Sequence, residues 1–252
     1  MPSPFWGNPN APSIGMACNI YNDANAVTGL LEMSSQFFDE MVFYHAGPQG
    51  VYSTDGTLEI LEKWKVKVVF GKIDDGFGIV RTAAVRACKT EWVMILDADE
   101  RFHHFAPILL PHGDGESIFV QRFHDCYDQG ALLRRLIQYP EIDAIESVRR
   151  HWLDFSWNRP VQNWHHIPDI QRRIVRNIDP IHYKTEVRMH EQLIDGRTGH
   201  GVRAHSCNGY RGIFHDHYHC FFKAMEPEQR QHDIQIYNAI HECRIPPKEF
   251  QV

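Results

Sequence analysis

In the segment WVMILDADERF, residues 92–102, an apolar run stops at Asp97, Asp99 and Glu100. Two carboxylates at i and i+2, placed where a buried strand emerges, can converge on one hard cation while the strand holds them still. Mg2+ and Mn2+ take oxygen ligands of this kind and share them with substrate phosphates. The plainer alternative is an acidic loop that solvates a strand end. A second group of candidate ligands stands late in the chain, where GIFHDHYHC puts His215, His217 and His219 on alternate positions. In a strand these three share one face, which suits a transition metal or a diphosphate. With His205, Cys207 and Cys220 close in sequence, a structural zinc site competes, although the tight cysteine pairs usual in such sites are missing.

The elements that must position these groups are legible upstream. SIGMACNIY reads as a buried strand, NAVTGLLEMSSQFF as a helix, EMVFYH as a strand and STDGTLEILEKW as a helix opened by capping residues. VKVVF then reads as a strand, GIVRTAAVRAC as a helix and EWVMIL as a strand. This βαβαβαβ series predicts an α/β fold with an open, mostly parallel sheet and right-handed crossovers. Ligands of such sheets bind outside the carboxyl ends of the strands. The loops there are 21–23, 45–56, 71–78 and 97–102, three of them acidic. Beyond residue 103 the pattern is mixed: DQGALLRRLIQY as a helix, IDAIESVRRHWLDF, IQRRIVRNI and HYKTEVRMHEQLI as strands, and EPEQRQHDIQIYNAIHE as a closing helix.

Composition narrows the class. A chain of 252 residues with 43% apolar residues can build one large core. With 26 Lys and Arg against 32 Asp and Glu, the net charge of −6 shows no global footprint for nucleic acid or anionic membrane. RRLIQY, SVRRHW and IQRRIVRN still allow a local basic strip. No apolar stretch approaches the roughly 18 residues of a membrane span, and the first residues lack a basic segment leading into an apolar one. The six cysteines, at 18, 88, 126, 207, 220 and 243, are scattered as reduced thiols would be. The expectation is a cytoplasmic protein without a membrane span.

The run from IYNDANAVTGLLEMSSQFFDE through STDGTLEIL to GFGIVRTAAVRACKTEWVMILDADE resembles the nucleotide-sugar half of the family 2 glycosyltransferases. The matching positions are Asn22-Asp23, Ser53 to Thr57, and Asp97-Ala98-Asp99, in that order. The resemblance implies the GT-A fold over 1–252 as one domain. Its sheet would be mostly parallel and flanked by helices, with 13–102 binding the nucleotide sugar and 103–252 serving the acceptor and catalysis. It implies a metal-dependent, inverting transfer of a sugar from a nucleotide-diphosphate sugar, a UDP-sugar first, to a hydroxyl. The acceptor would be a saccharide, with a protein or a modified nucleic-acid base as alternatives.

By the same resemblance Asn22, Asp23, Asp55, Asp75, Arg81 and Asp97 contact the nucleotide and phosphates. Asp97, Asp99 and one of the late histidines, His215 or His217 before His219, hold Mn2+ or Mg2+. IQRRIVRN followed by TEVRMHEQL looks like the arginine-rich strand and His-Glu pair of members acting on lipopolysaccharide cores. This makes Glu191 the general base, with His190 beside it; an exposed Glu on an edge strand is the alternative. The sequence departs from the pattern at the end of the second strand, where His45 replaces the usual aspartate and about five residues are added. Arg81 can equally form a surface ion pair, and Asp74 and Asp75 can simply cap a helix. WNRPVQNWHHIPD, with Trp157, Arg159, Trp164 and His165, is a candidate acceptor platform or a piece of core. Two other classes compete for the whole chain. A sugar nucleotidyltransferase would need a Gly-rich basic loop after the first strand, which CNIYNDANA lacks, and a zinc-stabilised binding module would rest on the histidines alone.

Overall fold

The computed structural model describes residues 11–110, 120–152, 169–184, 192–205 and 213–218. The first half alternates as its patterning predicts: β1 (Ile14–Ile20), α1 (Ala24–Ser34), β2 (Glu40–Gly47), α2 (Thr57–Trp64), β3 (Lys67–Lys72), α3 (Phe77–Ala87) and β4 (Trp92–Ile95). There follow β5 (Glu100–Arg101), β6 (Phe105–Leu110), β7 (Val120–Asp128), α4 (Gln129–Leu136), β8 (Ala144–Trp152) and β9 (Asp169–Arg176). Short strands complete the described chain: β10 (Ile181–Tyr183), β11 (Leu193–Asp195), β12 (His200–Gly201), β13 (Ala204–His205) and β14 (Phe214–Tyr218).

Among the described residues the main sheet runs β3-β2-β1-β4-β9-β8-β14-β5, with β13 beside β8. β1, β2, β3 and β4 pair in parallel, and β9 enters antiparallel to β4. The chain proceeds from β1 outward to β2 and β3, then returns to place β4 on the other side of β1. A crevice forms where the strand order reverses in this way. Alternation along β1 sends Ile14, Met16, Cys18 and Ile20 to one face, with Leu30 and Leu31 of α1 and Leu133 of α4. Ala17 goes to the other face, with Val80 and Ala84 of α3. Burying each Leu or Ile contributes about 1.5–3 kcal/mol, so both faces of this sheet are covered by helix or loop.

Two features set up the site. Gly76 opens α3 at φ 97°, a backbone that side-chain-bearing residues rarely adopt, so the chain turns sharply from β3 into the helix that carries Arg81. And β5 pairs with β14, at the far end of the path from β4. Residues 96–99 therefore carry the chain from β4 across the ends of β9 and β8. The acidic turn is forced over the strands whose side chains could answer it.

One expected element is corrected. HYKTEVRMHEQLI is not a single strand: β10 and β11 are antiparallel, Tyr183 facing Leu193, and the Lys184 amide donates to the Gln192 carbonyl at 2.7 Å. A continuous strand would separate those two residues by about 26 Å, so the chain doubles back between them. Helix α2 also begins at Thr57 rather than at Ser53, the preceding residues forming a turn. The expected closing helix at 226–242 lies outside the described residues. No helix among the described residues is long and apolar enough to cross a membrane.

Candidate active site

At the end of β4, Asp97, Asp99 and Glu100 take three different environments. Glu100 is fully buried. Its carboxylate accepts from Arg173 Nη2 at 2.9 Å, from Arg149 Nη1 at 3.3 Å, and from the Asp97 amide at 2.9 Å. His215 Nε2 stands 3.5 Å away, too long for a firm hydrogen bond. Burial alone would raise the Glu100 pKa, but Arg173, His215 and Arg149 outweigh it and hold the group well below the usual carboxylate range. Asp97 is half-buried and accepts from Arg81 Nη2 at 3.1 Å and Arg173 Nη2 at 2.9 Å. Its own burial is likewise outweighed by Arg173 and Arg81, so its carboxyl is also held low.

The Asp99 side chain is 31% exposed and meets His217 Nε2 at 2.9 Å. Burial pushes the His217 pKa down, but Asp99 wins and raises it. The strand register explains the match: β14 runs antiparallel to β5 with His217 opposite Glu100, so alternate residues of β14 reach successive acids of the turn. His215 is buried, with Nδ1 3.0 Å from the Ser147 hydroxyl. Burial outweighs Glu100 and keeps its pKa low.

The nucleotide-side candidates form a second, connected group. Asn22 sits at φ 53°, a conformation Asn tolerates, and its side-chain oxygen accepts from the Thr54 amide at 2.9 Å. Asp55 accepts from the amides of Ala24 (2.9 Å) and Thr57 (3.0 Å). The Asp23 amide donates to the Thr57 hydroxyl at 2.9 Å. Gly56, at φ 92°, lets the turn close ahead of α2. The Ser-Thr-Asp-Gly-Thr turn thus locks the end of β1 to the end of β2. His45 Nε2 accepts from the Ser53 amide at 3.0 Å, extending the lock into the sheet. Asp74 accepts from the Gln49 amide at 2.5 Å, and Asp75 is exposed close to Tyr44.

A cavity of about 1040 Å3 opens beside Asp97 and Arg81. Its other walls are β8, β9 and the small sheet of β10, β11 and β12, and both Lys184 and Gln192 border it. His190, Glu191, His219, Cys207, Cys220, Trp157, Arg159, Trp164 and His165 lie outside the described residues.

The structure therefore brings Asp97 to Arg81, and Asp99 to His217, while placing Asn22, Asp23 and Asp55 in the neighbouring loop lock. Of the four expected metal ligands Asp99 and His217 meet, while Asp97 is held by Arg81 and Arg173 and His215 lies against Ser147. Among the described residues no three His, Cys, Asp or Glu side chains are grouped to hold a metal ion by themselves. Sequence reasoning assigned no role to Arg173, Arg149, Glu100 or Ser147. The arginine-rich run of β9 was the available signal for Arg173, SVRRHW marked Arg149 only as part of a basic strip, and nothing local marked Ser147.

The sequence profile described as Glycosyl transferase family 2 matches residues 52–194, more than half of the chain. No curated protein matches. Among solved structures, S. aureus TarS is similar at 15% identity over 91% of this chain and 43% of that one, with a TM-score of 0.44. S. aureus TarS 1–349 in complex with UDP is similar at 15% identity over 94% of this chain and 76% of that one, with a TM-score of 0.45. Glucosyl-3-phosphoglycerate synthase from Mycobacterium tuberculosis, in complex with Mn2+, UDP and glucosyl-3-phosphoglycerate, is 15% identical over 55% of this chain and 44% of that one, with a TM-score of 0.36. This chain spans less than half the length of the full TarS chain. Likenesses this distant carry no functional argument.

Proposed function

The chain belongs to glycosyl transferase family 2, and from that premise we propose a transferase that moves a sugar from a nucleotide diphosphate to an acceptor hydroxyl with inversion. A UDP-sugar is the first donor to test. Membership of the family sets aside the nucleotidyltransferase and the zinc module as readings of the whole chain. The observation that carries the finer reading is the acidic end of β4, where Asp99 meets His217 at 2.9 Å and Asp97, two residues earlier, lines the cavity.

That pair fits a divalent cation. A carboxylate oxygen and an imidazole nitrogen, partly exposed, suit Mn2+, and two protein ligands leave positions for diphosphate oxygens and water. Asp97, occupied by two guanidinium groups, would add negative charge beside such a cation. When bound, the cation supplies charge neutralisation to a departing diphosphate. His215 differs from His217: it is buried against the Ser147 hydroxyl rather than beside Asp99. Arg81, kept in place by Asp97, faces the cavity and adds positive charge where the diphosphate develops its own. The lock between Asn22, Asp23 and Asp55 keeps the two donor loops in one arrangement before the nucleotide arrives.

Glu191 is the proposed base. It precedes Gln192 in the chain, and Gln192 borders the cavity. A base must reach the attacking oxygen, and the reading of Glu191 rests on the resemblance of TEVRMHEQL to the His-Glu pair of the family.

The test is calorimetric titration of UDP with and without Mn2+ into wild type, Asp99→Asn and His217→Ala. Wild type should bind UDP more tightly with Mn2+, and both variants should lose at least about tenfold of that gain, since even indirect partners of a metal cost 10–100-fold. Undiminished Mn2+-dependent binding in Asp99→Asn would overturn the reading.

A further inference from the structure

Arg101 closes the segment DADER and is only 2% exposed, a cation almost wholly withdrawn from water. Burying a charge is costly unless hydrogen bonds replace the water it loses, so the ends of those bonds show what the side chain holds. Its Nη1 donates to the carbonyls of Ala98 and Glu100, both at 2.7 Å, and its Nη2 donates to the carbonyl of Ala26 at 2.6 Å. The first two belong to the acidic turn and the third to helix α1. A guanidinium is a rigid, planar fork, so it fixes the two segments relative to each other.

Each end of this bridge is attached to a part of the site. The Ala98 carbonyl lies in the peptide plane that leads into Asp99, so holding it restricts the backbone from which the Asp99 carboxylate reaches His217. The turn is also closed on itself. The Glu100 amide donates to the Asp97 carbonyl at 2.9 Å, and the Asp97 amide donates to the Glu100 carboxylate at 2.9 Å. At the other end, the amides of Ala26 and Val27 both donate to the Asp23 carbonyl at 2.9 Å, and the Ala24 amide donates to Asp55. Ala26 thus stands within one helical turn of the lock between Asn22, Asp23 and Asp55. Gly29 of α1 adds an independent sign. A Cβ there would stand 3.2 Å from Arg101 Nη2, close enough that one of the two must shift. Glycine inside a helix is less stable than alanine, and here its bare backbone admits the guanidinium.

We propose that Arg101 is a positioning residue that joins the donor-loop lock to the acidic turn, so that a nucleotide held by the loops meets Asp99 already in place. The proposal rests on the transferase reading above. Being buried, Arg101 is withheld from donor and cation alike and acts through the Ala98 peptide and α1. Arg86 offers the comparison, since its Nη2 also donates to backbone carbonyls, those of Ile178, Asp179 and Ile181, at the other end of α3 from Arg81. Both arginines tie segments together, but only the bridge of Arg101 has both ends in the site.

The experiment titrates UDP, with and without Mn2+, into the full chain and into its Arg101→Lys, Gly29→Ala and Arg86→Lys variants. Arg101→Lys keeps the charge and loses the fork. Gly29→Ala keeps Arg101 and displaces its Nη2 while favouring the helix, so the test stands even where Arg101→Lys fails to fold. The gain in UDP affinity on adding Mn2+ should fall at least about fivefold in Arg101→Lys and about threefold in Gly29→Ala, with metal-free UDP affinity within about twofold of wild type. Arg86→Lys should lose melting temperature and keep the whole gain, which separates lost positioning from lost stability. Deuterium exchange without metal gives a second readout: UDP should slow exchange over residues 96–101 in wild type, and much less in Arg101→Lys and Gly29→Ala. A gain undiminished in both variants, slowing that persists in both, or an equal loss of gain in Arg86→Lys overturns the inference and leaves the donor reading standing. If Mn2+ adds nothing to UDP binding by wild type, the cation falls and the exchange readout alone decides for or against Arg101. If wild type does not bind UDP, the donor reading is removed and the inference falls with it.

Discussion

Asp97, Asp99 and Glu100 show how three acids within four positions acquire different tasks from their surroundings. Glu100 is buried against two arginines, so removing its charge leaves both guanidinium groups partly unanswered. Breaking a buried pair in this way costs about 3–5 kcal/mol. Glu100→Gln keeps the side-chain shape and should lose about 3 kcal/mol in urea denaturation; wild-type stability in this variant would show that the network under the turn contributes nothing. Glu191 is a different kind of group, one whose loss should spare the fold and the donor. Glu191→Gln should lower the transfer rate by about 10²–10⁴ while UDP affinity measured by calorimetry stays put. A variant that turns over at the wild-type rate assigns the base elsewhere, with His190 the neighbour to examine next.

In the proposed reading, the element that prepares the donor side is the pair of loops after β1 and β2. Asp55 ties the start of α1 to the start of α2, and His45 anchors the turn between them to the sheet. Because the Ser53 amide donates to His45 Nε2, that nitrogen must carry a lone pair, and protonation breaks the contact. Burial lowers the His45 pKa below its unfolded value of about 6.5. The unfolded chain then takes up the proton first, so this contribution to stability is complete above about pH 6.5. It is lost as pH falls through the folded value. Melting temperatures measured from pH 7.5 to pH 5 should therefore fall more steeply for wild type than for His45→Gln, which has no proton to take up. Parallel curves for the two proteins would remove His45 from the account.

At the scale of the whole molecule, the two halves share their cores. Ile174 of β9 is fully buried, lies beside Met94 of β4 and Ile145 of β8 in the sheet, and belongs to the same cluster as Leu30 of α1. We take 1–252 to unfold as one unit on this ground. Ile174→Ala, which removes apolar volume at the seam, should cost about 2–5 kcal/mol and shift a single calorimetric transition as a whole. A variant in which one of two separate transitions moves alone would divide the chain into independent domains. The same seam explains the site, since the acidic turn leaves the first half and is answered by Arg81 of that half together with Arg149, Arg173 and His217 of the second.

What the sequence determined by itself is the local part. Apolar periodicity and capping residues specify β1 to β4 and the helices between them, because such patterns depend on neighbours three or four positions apart. Asp97 and Asp99 at the end of β4, and the Ser-Thr-Asp-Gly-Thr turn, are readable for the same reason. The strand expected over 182–194 fails because its reversal is recorded in a pairing across the chain, between Lys184 and Gln192, rather than in a turn signal. Only the tertiary structure decided that β5 pairs with β14, and from that follow the meeting of Asp99 with His217 and the burial of Glu100 between Arg149 and Arg173. Those partners lie 49 to 118 positions away in sequence. No local pattern encodes such a distance; the sheet order does, by carrying the acidic turn across the ends of the strands that hold its counter-charges.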